Sequence, residues 1–352
     1  MTDESKEPWL SLLRPSTPLP ARALPMAEGR APSEARLIEA SEILARGGVV
    51  AIPTETVYGL GADAANPDAV RRVFAIKGRP TNHPVIVHVS GVDDLPRWSR
   101  QPPRAAYLLA ERYWPGPLTL VLPRASRVPD AVTGGQETVA LRAPAHPLTQ
   151  ALLAHFGGGI AAPSANRFGR VSPTTAEHVR ADLGDEVDLV LDGGPCRIGL
   201  ESTILALVGA RPTLLRPGAI GFEALSAVLG EEIALSAAVA IRAPGALAAH
   251  YAPRTPLELL AAEALPARLA QLLDKGRLPA CLALGTLPPL PPEVPCLILP
   301  AEAAAYAARL YAALRELDGA GADGILAVQP PDTPAWHAIN DRLRRAARGS
   351  GA

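Results

Sequence analysis

Residues 49–61 read VVAIPTETVYGLG, and this stretch decides the fold of the first half of the chain. Val49–Ile52 is a short apolar run, which predicts a buried strand. Pro53–Gly61 follows directly and holds two threonines, a glutamate and two glycines. Ligands favour strand ends in α/β folds, so this polar loop is a candidate binding site. By itself, the loop is more typical of a threonine-rich turn with structural glycines.

The segments on either side of this loop predict short strands and helices in irregular order. A helix begins near Ser33 and ends at Gly47, and a second is capped by Asn66 and ends at Gly78. Further helices are predicted at 103–113, 147–155, 175–183 and 222–229. Strands are predicted at Val85–Val89, Leu118–Leu122, Val139–Arg142, Gly159–Ala162, Val187–Leu191, Ser202–Leu205 and Thr213–Leu215. Because the two types do not alternate cleanly, we expect a mixed, twisted sheet flanked by helices rather than a plain βαβ array.

The length of 352 residues predicts two domains, since a domain usually holds roughly 100–200 residues. Residues 1–32 are proline-rich and are interpreted as an N-terminal tail. The first domain is placed at 33–222, a linker or strap at 223–254, and a second domain at 255–352. Within the second domain, strands are predicted at 256–260, 279–284, 295–299 and 324–328, and helices at 263–275, 301–318 and 334–347. This order predicts a small open α/β sheet.

The composition argues against several classes of protein. The formal net charge is −1, whereas a dedicated nucleic-acid binder usually carries a clear basic excess. The three cysteines (Cys196, Cys281 and Cys296) form no C-x-x-C pair, which fits a reducing cytosol better than a disulfide framework. No signal peptide or membrane span is apparent. We therefore expect a cytoplasmic protein.

Two cations one residue apart, Lys77 and Arg79, lie at the end of a predicted helix. Their charge suits a triphosphate. Cations at a helix C-terminus also favour the helix dipole, so a capped, solvated helix end is the more typical interpretation of this feature alone. His88 lies in the next strand, where a lone histidine more often packs than binds.

Hydroxyl, amide and guanidinium groups recur at later turns. Ser164 and Asn166 follow a predicted strand and suit phosphate or ribose, although a Ser/Asn turn is the plain alternative. Glu201–Thr203 forms a further polar cluster at a strand start. Arg142 and Arg216 each end an apolar strand, which costs free energy unless the charge is paired. A ligand carboxylate or phosphate could supply the partner, and so could a protein carboxylate.

Several common catalytic patterns are absent from the sequence. It has no P-loop G-x-x-x-x-G-K-[ST], no zinc-ligand spacing of histidines, and no pair of carboxylates typical of acid and base. We expect any metal to enter as Mg²⁺ with a nucleotide.

In combination, these segments resemble the YrdC-like threonylcarbamoyl-AMP synthase family in its long, two-domain form. The segments are Pro53–Gly61, Lys77-x-Arg79, Trp114–Thr119 (WPGPLT), Arg142–Pro147 (RAPAHP), Ala162–Asn166 (APSAN), Glu201–Ile204 (ESTI), Leu215–Gly218 (LRPG), Ala243–Gly245 with His250–Pro253, and Ala338–Leu343. They occur in family order. The resemblance implies a YrdC-like twisted mixed sheet with flanking helices, followed by a smaller Rossmann-like open α/β domain.

The resemblance also implies an activity and a set of site residues. L-threonine and bicarbonate would form a carbamate that attacks the α-phosphorus of ATP, giving threonylcarbamoyl-AMP and pyrophosphate. Partner proteins would transfer the threonylcarbamoyl group to tRNA. The residues implied for L-threonine are Thr54, His88, Arg142, Ala162 and Ser202. Those implied for ATP are Lys77, Arg79, Thr81, Thr138, Ser164, Asn166, Ser172, Arg216 and Tyr251, with Lys77, Arg79 and Arg142 as the catalytic cations.

Two other functions were weighed against this one. The first is an RNA-binding or ribosome-associated module, against which the nearly neutral charge argues, although weak or indirect RNA contact stays open. A C-terminal group of arginines (Arg342, Arg344, Arg345 and Arg348) could contact RNA, but we prefer a solvated helix face. The second is carbamoyl chemistry on another substrate, as in hydrogenase maturation; the chain lacks the fused segments of that type.

Overall fold

The computed structural model describes residues 34–235, 241–245, 247–287 and 289–351. The predicted tail at 1–32, the Ser33 cap and part of the predicted strap lie outside these ranges. The chain divides into two compact units. The first contains residues up to Phe168 and Pro173–Ala246, and the second contains Gly169–Ser172 and Leu247–Ala352. The four-residue segment Gly169–Ser172 therefore leaves the first unit and belongs to the second.

The first unit contains a ten-stranded mixed sheet in the order β10-β9-β8-β4-β5-β3-β6-β2-β1-β7. Its strands are β1 (Val50–Ile52), β2 (Gly59–Asp63), β3 (Ile86–His88), β4 (Leu118–Pro123), β5 (Thr138–Arg142), β6 (Ile160–Ala161), β7 (Leu189–Val190), β8 (Thr203–Ala206), β9 (Thr213–Arg216) and β10 (Ala234–Leu235). Parallel and antiparallel pairs are interleaved, which confirms the predicted mixed sheet.

Eight helices of the first unit lie within the described ranges. They are α1 (Glu34–Ala45), α2 (Pro67–Lys77), α3 (Leu95–Trp98), α4 (Arg104–Tyr113), α5 (Asp130–Thr133), α6 (Pro147–Phe156), α7 (Ala176–Leu183) and α8 (Phe222–Leu229). The sequence analysis missed α3 and α5, which are each a single turn long.

Strand β1 shows why the first unit needs helices on both faces of its sheet. Successive side chains of a strand point to opposite faces. Val50 and Ile52 pack in a cluster with Leu44 and Leu152 from α1 and α6. Ala51, between them, belongs to a different cluster, which includes residues of α2 and α7. The strand is therefore buried on both sides, as its apolar sequence predicts.

The loop predicted at Pro53–Gly61 is shorter than expected, because Gly59–Asp63 forms strand β2. Ile52 pairs with Gly59 and Val50 with Gly61, so β1, the polar turn and β2 form an antiparallel hairpin. A Cβ at Gly61 would lie 2.7 Å from Ile160 Cγ2, so only glycine fits that close approach.

The second unit contains a four-stranded parallel sheet in the order β11-β14-β12-β13. Its elements are β11 (Leu257–Leu260), α9 (Leu265–Asp274), β12 (Pro279–Leu284), β13 (Cys296–Leu299), α10 (Ala303–Asp318), β14 (Gly324–Val328) and α11 (His337–Gly349). All seven elements match the predicted order. No helix in the described part of the chain combines the length and apolarity needed to cross a membrane.

The prediction of a solvated arginine face on α11 was wrong for Arg342 and Arg345, whereas Arg344 and Arg348 are exposed as predicted. Arg342 is fully buried, with its guanidinium beside Asp341 at 2.6 Å and over the ring of Tyr251 at 5.2 Å. Arg345 pairs with the same carboxylate at 2.9 Å and donates to the Leu247 carbonyl. These two arginines hold segments of the second unit together instead of facing solvent.

Candidate functional site

Arg142, the last residue of β5, is surrounded by protein partners. Its Nη2 lies 2.7 Å from Glu55 Oε1, and both side chains are at most 4% exposed. Nη1 donates to Thr56 Oγ1 at 2.8 Å, and Nε donates to the Gly116 carbonyl at 3.2 Å. A protein carboxylate thus neutralises the buried arginine. Hydrogen bonds use the Nε proton and one Nη1 proton, whereas Nη2 contacts Glu55 as an ion pair and has no hydrogen-bond partner among the described residues.

Thr54 and Thr56 connect this arginine to the turn that carries them. The two hydroxyls are 2.8 Å apart, and Thr54 Oγ1 donates to the Val57 carbonyl at 2.6 Å. If Thr56 donates to Thr54, both hydroxyl protons have acceptors within the turn. Thr54 therefore offers a ligand its lone pairs or its methyl group rather than its proton.

His88 lies beside Arg142 at the same edge of the sheet, because β3 and β5 are parallel and pair these two residues. Burial, together with the positive charge of Arg142, lowers the pKa of His88 to about 3. The imidazole is therefore neutral at physiological pH and can hydrogen-bond to a substrate without adding charge.

Lys77 closes α2 and reaches the turn after β6. Helix α2 begins at Asn66, whose side chain accepts from two backbone N–H groups, and it ends at Gly78 in the left-handed region (φ 63°). Lys77 Nζ donates to the carbonyls of Ser164 and Asn166, the latter at 2.5 Å. Burial, assisted by the charge of Arg79, holds the pKa of Lys77 well below its usual value. Lys77 thus fixes the turn that carries Ser164 and Asn166, the two residues predicted to bind the nucleotide.

Arg79 is held next to this cluster by aromatic rings. Its guanidinium lies over Phe74 at 5.8 Å and over Phe168 at 5.6 Å, and its Nη2 donates to the Pro84 carbonyl at 2.8 Å. Thr81 is exposed in the turn that follows. The two cations one residue apart therefore form a largely buried pair rather than a solvated helix end.

Ser202, directly before β8, and Arg216, the last residue of β9, form a third cluster. Arg216 donates to the Ser202 carbonyl from Nε at 3.0 Å and from Nη2 at 2.9 Å, and Nη2 lies 3.1 Å from Ser202 Oγ. Its Nη1 donates to the Pro244 carbonyl at 3.1 Å. Thr119 Oγ1 lies 2.7 Å from Ser202 Oγ. Arg216, predicted to hold ATP, is thus bonded to a residue predicted to hold threonine.

The turn before β2 joins the Arg142 cluster to the Lys77 cluster. At one end, Glu55 and Thr56 contact Arg142. At the other end, Gly59 forms a bridge with Ser164, and the Tyr58 carbonyl accepts from the Ala165 N–H at 2.9 Å. Residues predicted for an amino acid and for a triphosphate are therefore connected by six residues of chain.

Comparison with known proteins places this arrangement in a family. Residues 42–218 match the family model described as "Telomere recombination", and residues 220–348 match the "Threonylcarbamoyl-AMP synthase, C-terminal domain". The threonylcarbamoyl-AMP synthase of Bacillus subtilis (strain 168) is 40% identical over 90% of this chain and 94% of its own length. The chain belongs to the threonylcarbamoyl-AMP synthase family, in its long two-domain form. The synthase of Pyrococcus abyssi is 39% identical over 87% of this chain.

A solved structure of this synthase family confirms the predicted fold. The crystal structure of P. abyssi Sua5 complexed with L-threonine superposes with a TM-score of 0.84 at 37% identity. The match covers 90% of this chain and 96% of that one.

Four further residues were predicted from the resemblance to this synthase family: Ala162 for L-threonine, and Thr138, Ser172 and Tyr251 for ATP. Ala162 lies beside Gly59, where a Cβ would be 3.1 Å from Ala162 Cβ. Thr138 is half-buried at the start of β5, and Ala162 is buried after β6, with its N–H donating to Ile86. Ser172 and Tyr251 belong to the second unit. The roles of Ala162 toward L-threonine and of the other three residues toward ATP stay predictions.

The two residues of the second unit have partners within it. The Ser172 carbonyl accepts from Arg315 Nε at 3.4 Å. The ring of Tyr251 stacks on that of Tyr311 at 5.9 Å, and its backbone is in the left-handed region at φ 61°. A non-glycine residue with positive φ is held there by its surroundings, which here include the buried Arg342.

The sequence analysis did not assign roles to Glu55, Thr56 and Thr119. A signal for Glu55 was present, because a buried arginine at a strand end requires a counter-charge and Glu55 is the carboxylate of the polar turn after β1. The role of Thr119 depends on the adjacency of β4 and β8, and that of Thr56 on a turn that reaches β5 although three strands lie between β1 and β5. The sequence pattern contains neither piece of information.

Proposed function

We propose that this chain makes threonylcarbamoyl-AMP and pyrophosphate from L-threonine, bicarbonate and ATP, for threonylcarbamoyladenosine modification of tRNA. One observation carries the proposal. The segment Thr54–Gly59 contacts the buried Arg142 at one end and the turn held by Lys77 at the other. An amino-acid carboxylate and a nucleotide would therefore be bound by neighbouring parts of one short segment.

On the amino-acid side, Arg142 would bind the carboxylate of L-threonine. The N–H groups of Arg142 that make no hydrogen bond to the protein can form charge-assisted hydrogen bonds to that carboxylate, while the ion pair with Glu55 holds the guanidinium in place. The neutral imidazole of His88 and the hydroxyl of Ser202 would complete the contacts. The related P. abyssi Sua5 was crystallised in complex with L-threonine.

On the nucleotide side, Lys77 and Arg79 would supply positive charge, and Ser164 and Asn166 would supply hydrogen bonds. The carbamate oxygen would form a bond to the α-phosphorus while the bond from that phosphorus to pyrophosphate breaks. This reaction needs positioning and neutralisation of developing charge, and no covalent nucleophile. The nearby thiol of Cys196 fits this scheme as a bystander, because burial raises its pKa.

We propose that Mg²⁺ enters with ATP. The described residues contain no group of three or more His, Cys, Asp or Glu side chains placed to hold a metal ion. Magnesium commonly retains several waters and binds through substrate phosphates. Triphosphate oxygens and water would therefore form most of its coordination shell, and the ion would neutralise phosphate charge beside Lys77 and Arg79.

The test is pyrophosphate release from ATP, measured with and without L-threonine and bicarbonate, followed by mass spectrometry of the product. We expect release to require both co-substrates and the product to have the mass of threonylcarbamoyl-AMP. Release of pyrophosphate without threonine, or a different adenylate, would contradict the proposal.

Two pairs of variants connect the activity to the clusters. Arg142→Ala and Lys77→Ala should each lose most of the rate, because single charge-stabilising groups are commonly worth about 10²–10³ in kcat. Exposed residues of the same types supply matched controls: Arg211→Ala, 70% exposed, and Lys275→Ala. Equal activity of a cluster variant and its control would remove that residue from the site.

We further propose that the product passes to partner proteins that transfer the threonylcarbamoyl group to tRNA, and that this occurs in the cytoplasm. The three free cysteines support a reducing compartment. A coupled assay with the transfer proteins and unmodified tRNA would test this step.

A further inference from the structure

Two hydroxyl groups meet at the start of the parallel strands β4 and β8. Thr119 Oγ1 and Ser202 Oγ are 2.7 Å apart, and both residues are fully buried. The register pairs Thr119 with Ile204, so Ser202, two residues before Ile204, is a diagonal neighbour of Thr119 on the same face. The bond therefore comes directly from the strand pairing.

The pair contains one more proton than the protein uses. Each hydroxyl carries one proton, and one of the two is used in the bond between them. Within the described ranges, neither Thr119 nor Ser202 donates to any other acceptor. In the Thr54–Thr56 pair, by contrast, the second proton goes to the Val57 carbonyl. The Thr119–Ser202 pair thus requires an acceptor from outside the protein.

Arg216 decides which hydroxyl holds the remaining proton. Its Nη2 donates to Ser202 Oγ at 3.1 Å and so occupies one lone pair of that oxygen. If Thr119 donates to the second lone pair, the Ser202 proton is free for a ligand. In the reverse arrangement, the Thr119 proton is buried between strands without an acceptor, which costs free energy.

We propose that Thr119 is a positioning residue that fixes Ser202 as a hydrogen-bond donor to an oxygen of the amino-acid substrate. The inference rests on the proposed function, which places the amino acid at Ser202. The proposal fixes a direction: Ser202 Oγ accepts from Thr119 and Arg216, and toward the substrate it acts only as a donor. Substrate oxygens with free lone pairs, such as carboxylate or hydroxyl oxygens, fit this donor, and an ammonium group does not.

The test compares Thr119→Val, which keeps the shape but removes the hydroxyl, with Thr119→Ser, which keeps the hydroxyl. Binding of L-threonine is measured by calorimetry in the absence of ATP, and steady-state kinetics supply KM for each substrate. Loss of one hydrogen bond should weaken L-threonine binding about three- to ten-fold in Thr119→Val. Thr119→Ser should restore binding to within about two-fold, and KM for ATP should change less than KM for L-threonine.

A double-mutant cycle separates positioning from a general structural effect. In a Ser202→Ala background, Thr119→Val should have almost no further effect on L-threonine binding, because the residue it acts through is gone. The same loss in both backgrounds would overturn the inference, as would wild-type binding by Thr119→Val. If Thr119→Val does not fold, Thr119→Ala provides the same comparison.

Binding of L-threonine by the wild-type protein distinguishes failure of the proposed function from failure of the role proposed for Thr119. Failure of the wild-type protein to bind L-threonine would contradict the proposed function itself. Binding by the wild type with no change in either Thr119 variant would contradict only the role of Thr119.

Discussion

Replacing Glu55 by glutamine tests the buried charge pair on which the amino-acid side of the site depends. The Glu55 and Arg142 side chains are 1% and 4% exposed, and their closest atoms are 2.7 Å apart. Removing one partner of such a pair costs roughly 3–5 kcal/mol, because the other charge stays buried without compensation. Glutamine keeps one oxygen that can accept from Ala145 or Arg142, so we expect about 3 kcal/mol, at the low end of this range.

Amide hydrogen exchange followed by mass spectrometry can locate this loss. If the amides of β5 exchange through unfolding of the first unit, a loss of about 3 kcal/mol makes them exchange roughly a hundred-fold faster. Strand β12 in the second unit provides an internal reference. Glu186→Gln is the matched control, because the Glu186–Arg167 pair is 47% and 44% exposed, and breaking it should cost about 0–1 kcal/mol. Equal effects of the two substitutions would refute the reasoning.

Three further predictions concern single buried groups. In the wild type, the His88 imidazole takes up a proton near pH 6.5 in the unfolded chain but only near pH 3 in the native state. The free energy of unfolding of the first unit should therefore fall by up to about 5 kcal/mol as the pH falls from 6.5 to 3. His88→Gln should remove this part of the pH dependence. Urea unfolding at several pH values measures the slope. Cys196 should resist iodoacetamide at pH 8 in the native protein, because burial raises its pKa; rapid labelling found by peptide mapping would contradict this. Tyr58→Phe should cost about 1–3 kcal/mol, since the phenol donates to the Gly194 carbonyl at 2.8 Å, and an unchanged midpoint in urea would oppose it.

Much of the fold could be predicted because local patterns carried it. The helix from Asn66 to Gly78 has a cap, a first-turn proline and a left-handed glycine, and the structure contains all three. The elements of the second unit follow their apolar periodicity in the same way. Strand β2 was missed because GLGAD has two glycines and no alternation of large side chains, and only its pairing with β1 and β6 makes it a strand.

The site could be predicted less completely, because its contacts join distant parts of the chain. Lys77 and Arg142 were predicted as site cations. Their partners were not predicted as such, because Asn166 is 89 residues from Lys77 and Glu55 is about 90 residues from Arg142. Arg342 was interpreted as solvated because its neighbours in sequence are charged. Its burial beside Tyr251 depends on tertiary packing, which a helical pattern alone does not reveal.

The segment Gly169–Ser172, which belongs to the second unit, matters for any division of the chain into domains, because a single cut in the sequence does not separate the two units. The Gly169 carbonyl accepts from Ala252 at 2.9 Å, so this stretch is tied to the second unit while its neighbour Phe168 bonds the Lys77 carbonyl in the first. A stop codon near residue 220 would therefore remove the hydrogen bonds that this segment makes with Ala252 and Arg315, immediately after Phe168, whose ring lies against Arg79. Truncation would therefore remove more than an independent domain. The loss of these hydrogen bonds would also affect Phe168 and, through it, the turn that Lys77 holds.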